Sequence, residues 1–229
     1  MTTIASNLQA VRTAIIEAAA GAGRQADEVS LLAVSKTFPQ DAVREAFQAG
    51  QHRFAESYVQ EALDKIAALH DLPVEWHYVG PIQSNKTRAI AEHFSWVHSL
   101  DRLTIAERLS GQRPAHLPPL QVCLQVNISG EKSKGGVSPE QLGALAHDIA
   151  KLPGLKLRGL MAIPAPCDEV AAQRLPFAQL HELLNRLNHQ GLKLDTLSMG
   201  MSHDFAAAIA EGATIVRIGT AIFGQREYL

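Results

Sequence analysis

The chain has 229 residues, 46% of them hydrophobic and 19% charged, with a formal charge of -2. This supplies a sizeable core and excludes a disordered chain, and the near balance of charge excludes the electrostatic footprint of a nucleic-acid or acidic-membrane binder. Two cysteines, Cys123 in an apolar run and Cys167 in a loop, exclude a disulfide framework and point to a reducing compartment. The opening MTTIASNLQAVRTAII has neither a basic n-region nor a long apolar core, so a cytoplasmic protein without signal peptide or membrane span is expected.

Ile4, Leu8, Val11 and Ile15 fall on one face of a first helix, capped by Thr3 and ending near Gly21 to Gly23. Leu31 to Lys36, LLAVSK, then reads as a strand covered on both faces with a lysine at its end. Pro39 suits a first helical position, Val43 and Phe47 share a face, and Gly50 closes that helix. Arg53 to Glu56 reads as a short strand, and Val59, Ala62, Leu63, Ile66 and Leu69 as one side of the next helix. Val74 to Val79 is a third strand, stopped by Gly80-Pro81, before a helix capped by Ser84 that carries Ile90 and Phe94. Ser95 to Leu100 is a fourth strand, and Asp101 caps a helix with Ile105 and Leu109.

Leu120 to Ile128 is the fifth strand. It is followed by the glycine-rich GEKSKGG loop and a helix opened by Ser138-Pro139-Glu140-Gln141, with Leu142, Leu145, Ile149 and Leu152 inward. Leu155 to Ile163 is the sixth strand. Pro176 interrupts the next helical pattern, so that helix is expected to start there and to bury Phe177, Leu180, Leu184 and Leu187. Leu194 to Met199 and Thr214 to Ile218 are strands seven and eight, separated by a helix with Phe205 and Ile209. Eight strands, each followed by a helix, imply a parallel sheet that closes. No linker divides the chain, so the expectation is a single α/β domain over residues 1–229, a (β/α)8 TIM barrel with an additional amino-terminal helix.

In such a barrel the carboxyl ends of the strands line the ligand site. Lys36 sits there. An amine held against apolar neighbours loses part of its preference for charge, as a Schiff-base lysine requires, although a strand-end lysine also serves simply by reaching water. The loops after strands seven and eight, the usual phosphate site, carry Gly200 and Ser202 in one and Gly219 and Thr220 in the other. Arg217, in the apolar run TIVRIG, is a buried guanidinium that needs an acceptor, met by a carboxylate or by a ligand's phosphate or ring nitrogen. Lysine, phosphate cradle and arginine together read as a pyridoxal phosphate site. An arginine donor leaves the pyridine nitrogen unprotonated and weakens the ring as an electron sink.

Other chemistries fail on spacing. His181-Glu182-Leu183-Leu184-Asn185 has asparagine where a zinc-protease helix needs its second histidine, Gly130 to Gly136 lacks the ending of a Walker loop, and no GxGxxG follows a strand. The ten histidines form no metal-ligand pattern. They read mostly as surface or hydrogen-bonded residues, and His77, near the end of strand three, is the one whose position could let it point into the mouth.

The segments AVSKTFP, WHYVGPIQSNK, LRGLMAIPAP, LSMGMSHD and VRIGTAIFG resemble the motifs of the YggS/PROSC family of pyridoxal phosphate homeostasis proteins, in order, from about Leu31 to Phe223. The resemblance implies a monomeric barrel of the alanine-racemase amino-terminal type with pyridoxal 5'-phosphate as an aldimine on Lys36. It also implies phosphate contacts around Ser202, Gly219 and Thr220, with Arg217 near the pyridine nitrogen. One departure is Ser57, where the family usually shows asparagine near the cofactor. Lys134, in the GEKSKGG loop, matches a lysine discussed in relatives as a second cofactor contact.

Two functions follow. As a carrier, the protein holds the coenzyme, keeps the free aldehyde low and passes it to apo-enzymes, with no nucleic acid or membrane as partner. As an enzyme, it is an amino-acid racemase or another Schiff-base enzyme. Racemisation needs acid and base groups on opposite faces of the cofactor, and alanine racemases complete the second with a carboxyl-terminal β-domain. That domain is expected to be absent from a chain ending at Leu229, and among Tyr58, Tyr78 and Tyr228 no tyrosine is placed by sequence to replace it. The carrier reading is therefore favoured. An aldolase-like barrel shares the lysine and the cradle, but no carboxylate or sugar-phosphate pocket is identifiable for it.

Overall fold

Thr3 Oγ1 accepts the N–H of Ser6 and caps helix α1, Ile4–Gly21, whose Leu8, Val11, Ile15 and Ala19 are buried against the body of the protein. The computed structural model describes residues 3–131, 135–167 and 169–225. Beyond α1 the order is β1 (Ser30–Val34), α2 (Gln40–Gln48), β2 (Arg53–Glu56), α3 (Val59–Ala68), β3 (Glu75–Tyr78), α4 (Thr87–His93) and β4 (Trp96–Leu100). It continues α5 (Leu103–Gln112), β5 (Leu120–Gln125), α6 (Pro139–Ile149), β6 (Leu155–Met161), α7 (Val170–His189), β7 (Thr196–Ser198), α8 (Phe205–Ala210), β8 (Ile215–Ile218) and α9 (Thr220–Phe223).

Each strand pairs in parallel with the next, and β1 closes the ring on β8 with Leu31 opposite Val216. The expected eight-stranded α/β barrel with an amino-terminal helix ahead of β1 is what the chain forms. Side chains alternate across the wall. Ala33, Val97, Leu197, Val216 and Ile218 pack outward with the helices, whereas Leu32, Ala55, Ile215 and, in a second group, Trp96, Cys123 and Met161 pack as interior clusters. His77, His98, Ser198 and Arg217 are also buried, linked to one another by hydrogen bonds. Among the described residues no helix is long and apolar enough to cross a membrane.

Four local expectations are corrected. α7 begins at Val170 and runs through Pro176. The proline deprives only the carbonyl of exposed Ala172 of its donor, and the buried row Phe177, Leu180, Leu184 and Leu187 carries the helix past it. Ser84 opens a short 3₁₀ turn, Ser84–Lys86, and Lys86 holds the cap position of α4. The cap position of α5 belongs to Arg102, whose guanidinium pairs with Asp101, so that carboxylate is not spent on the helix. Pro39 stands one position earlier than expected, as the cap residue of α2.

Candidate functional site

β1 ends at Val34, and the chain reverses at once: Phe38 N–H returns to the carbonyl of Ser35 at 3.1 Å. Lys36 and Thr37 are the central residues of that turn. Thr37 has φ 69°, the left-handed conformation that a type II turn demands at its third residue and that a β-branched side chain resists. Polar groups underneath hold it. Glu61 Oε1 accepts Thr37 N–H at 2.6 Å, Ser35 Oγ donates to Glu56 Oε1 at 2.7 Å, and Lys65 Nζ donates to Glu61, Glu56 and the Ser35 carbonyl at 2.6, 2.8 and 2.8 Å. Glu56 and Lys65 are buried, and burial is what raises the Glu56 pKa, against the pull of Lys65.

Lys36, half-buried, lines a cleft of about 220 Å³ at the carboxyl ends of the strands. Arg217 from β8, Gly219 and Thr220 after it, Ser202 from the loop after β7, and Ser57 after β2 line the same cleft. Six of the seven residues singled out from the sequence thus share one cavity. Gly200 does not line it. It lies behind, buried at φ 91°, where an added Cβ would come within 2.6 Å of Ala208 Cβ, and its carbonyl accepts the Arg217 N–H at 2.9 Å. The loop carrying Ser202 is folded by Asp204, whose carboxylate accepts Met201 N–H at 2.6 Å. Val34, Val79 and Ile163 supply apolar wall, and Met201 and His203 complete the lining. These were not anticipated, although Val79 and Ile163 are the residues just past β3 and β6 that barrel geometry assigns to the mouth.

Arg217 is 4% exposed. Nη1 donates to Ser198 Oγ and Nη2 to the Ala162 carbonyl, both at 2.9 Å, which uses two of its N–H bonds. Burial lowers its pKa to about 10, so it remains a cation at neutral pH. Around Ser57 the backbone is tight. An added Cβ on Gly80 would lie 2.2 Å from the Ser57 carbonyl, and the Tyr78 hydroxyl sits 3.2 Å from that oxygen and 3.1 Å from the Pro81 carbonyl.

Among the described residues no tyrosine lines the cleft. Burial pushes the Tyr78 pKa up to about 12, Tyr58 is 56% exposed, and Tyr228 lies outside the described residues. Lys134 lies outside them too. His77, the histidine nearest the mouth in the sequence, does not line the cleft: it is 1% exposed inside the barrel with Nε2 directed to Glu75, because its position on β3 turns it inward one layer below the strand's end.

An alanine racemase, N-terminal domain family model matches residues 4–227. A pyridoxal phosphate homeostasis protein of Pseudomonas aeruginosa is 65% identical over 228 residues, spanning 100% of this chain and 98% of its own length. The structure of PipY from Synechococcus elongatus, solved with PLP bound, superposes with a TM-score of 0.85 at 39% identity, covering 97% of this chain and all of that one. An alanine racemase from Corynebacterium glutamicum shares the fold alone, with TM-score 0.71 at 17% identity over 61% of its length.

Proposed function

This chain belongs to the family of pyridoxal phosphate homeostasis proteins, and we propose that it binds pyridoxal 5'-phosphate in the cleft at Lys36 and carries it toward apo-enzymes rather than turning over a substrate. The observation that carries this reading is the convergence of Lys36, Arg217, Gly219, Thr220 and Ser202 on one small cleft. Those residues fit the coenzyme group by group. The Lys36 amine meets the aldehyde and holds it as a Schiff base, the hydroxyls of Ser202 and Thr220 and the first N–H groups of α9 meet the phosphate, and Val34, Val79 and Ile163 flank the ring. Arg217, already a hydrogen-bond donor on two sides, gives a further N–H to the pyridine nitrogen. Ser57 occupies the place of the family asparagine and offers one hydroxyl in place of an amide.

When bound, the coenzyme supplies an electron sink for carbanion chemistry. A donor that cannot give up its proton to the ring nitrogen keeps that sink weak. With Tyr78 buried at a pKa of about 12, the described residues offer no tyrosine suited to move an α-proton at neutral pH, which favours cargo over racemase. A monomer in the cytoplasm accords with this role, and Cys123 and Cys167 are both free thiols.

Borohydride reduction of the loaded protein tests the assignment. A pyridoxyl mass is expected on the peptide containing Lys36 and is expected to vanish in Lys36→Ala. Label concentrated on Lys86 or Lys134 would overturn it.

A further inference from the structure

Four hydrogen bonds run in series through the barrel. Arg217 Nη1 meets Ser198 Oγ at 2.9 Å, Ser198 Oγ meets His98 Nδ1 at 2.7 Å, His98 Nε2 meets His77 Nδ1 at 2.8 Å, and His77 Nε2 meets Glu75 Oε1 at 2.8 Å. The residues come from β8, β7, β4 and β3, and all except Glu75 are buried. One end lines the cleft at Lys36. The other opens on a cavity of about 410 Å³ at the amino-terminal mouth, where Arg53, Trp96 and Arg158 are neighbours of Glu75 and His77.

Chemistry fixes the direction of every hydrogen in this series. Arginine has no acceptor, so it donates to the Ser198 oxygen. With Glu75 ionised, the carboxylate can only accept, so the His77 proton sits on Nε2 and its Nδ1 is bare. His98 must then donate from Nε2, and its bare Nδ1 takes the Ser198 hydroxyl proton. The Glu75 end sets this order, and the Arg217 end is compatible with it, because a hydroxyl that accepts from arginine keeps its own hydrogen to give. Both rings are neutral. Burial lowers the pKa of both histidines, and the hydrogen bond from His77 lowers that of Glu75. Stacking on Trp96, with centroids 5.5 Å apart and planes 7° from parallel, fixes the His77 ring. Arg53 Nε, 3.2 Å from Glu75 Oε1, keeps the terminal carboxylate ionised.

We propose that Ser198, His98, His77 and Glu75 form a one-way hydrogen-bonded relay that orients Arg217 toward the bound coenzyme and makes the cofactor contact answer to the far end of the barrel. These are positioning residues, none of which touches the ligand, and the proposal rests on the reading that pyridoxal 5'-phosphate occupies the cleft. With the relay intact, Arg217 is held by a donor-to-acceptor chain that cannot reverse without adding a proton. Without it the guanidinium loses one of its two anchors.

Long-range proton–nitrogen NMR on histidine-labelled protein tests the relay before any coenzyme is added. Near pH 7, both His77 and His98 are expected to carry their proton on Nε2, and an Nδ1-protonated or imidazolium signal at either would overturn the assignment. In Ser198→Ala the fixed tautomer of His98 should be lost and the dissociation constant for pyridoxal 5'-phosphate should rise about tenfold, with Ser198→Thr restoring both. Glu75→Ala, at the half-exposed terminus where the core is undisturbed, should mix the His77 tautomers and weaken coenzyme binding by about threefold. Single tautomers and wild-type affinity in both Ser198→Ala and Glu75→Ala would sink the proposal. A wild-type protein that takes up no coenzyme would remove the relay's purpose along with the ligand assignment, while the tautomers would still report whether the chain of bonds exists.

Discussion

The carboxylate of Glu61 accepts the backbone N–H of Thr37 at 2.6 Å, one residue past the lysine that lines the cleft. The same oxygen receives Lys65 Nζ at 2.6 Å, so a single acidic residue in the first turn of α3 ties the strained turn to a buried ammonium. Lys36 stands on a backbone that its own sequence would not choose and that two helical side chains enforce.

Replacing Thr37 by glycine should therefore stabilise the fold, because glycine accepts a φ of 69° without steric cost. A gain of roughly 0.5–1 kcal/mol is expected after the extra entropy of the unfolded chain is subtracted. Glu61→Ala should lose about 0.5–1.5 kcal/mol by removing the acceptor of the exposed Thr37 N–H and one of the three partners of Lys65. Urea unfolding of the two variants checks both signs, and a destabilised Thr37→Gly would mean that the turn is not strained.

Acid should weaken the protein through its interior histidines. His98 and His77 have pKa values lowered by burial, so the folded form binds fewer protons than the unfolded chain below the ordinary imidazole value. Their contribution is complete above about pH 6.5 and is lost as pH falls toward the folded values, by up to about 1.4 kcal/mol per pH unit for each ring. Urea midpoints measured between about pH 5 and 7 should show this decline, flattened when both histidines are replaced by glutamine. An equally steep decline in that double variant would place the acid sensitivity elsewhere.

Ser57→Asn should tighten the coenzyme. The residue is 9% exposed and lines the cleft, and an amide has a longer reach than the serine hydroxyl and adds a donor. One added hydrogen bond corresponds to roughly a three- to tenfold fall in dissociation constant, read by titrating the absorbance of the bound chromophore. Unchanged affinity would show that the serine, alone or through water, already satisfies that side of the ligand.

Turnover should be absent. Loaded protein mixed with single L-amino acids in deuterated water is expected to exchange the α-proton no faster than free coenzyme, because Tyr78 is buried at a pKa of about 12 and Tyr58 is exposed on the cap of α3. Exchange at turnover rates that disappears in Lys36→Ala would move the protein to the racemase class.

Much of the architecture was legible because a parallel barrel writes itself as alternation of apolar runs and amphipathic helices, and Lys36 was legible because LLAVSK ends on a charge where a crevice must be. What escaped were relationships between distant strands. His98 reads as one polar residue inside Trp96-Val97-His98-Ser99-Leu100, and its partner Ser198 lies 100 residues away on a strand of three. Glu56 was seen only as the last residue of a short strand, since its partner Lys65 belongs to a helix face that periodicity assigns to water. The helix start at Val170 was missed for a different reason. Pro176 is a strong local signal, and the packing of Phe177 and Leu180 overrides it.

The pairing of β1 with β8 has a consequence for any recipient of the coenzyme. A sheet that closes on itself presents no edge, so another chain cannot dock here by adding a strand. Under the carrier reading proposed above, transfer to an apo-enzyme would proceed across the loops that ring the Lys36 end of the barrel, with the recognition surface built from their side chains.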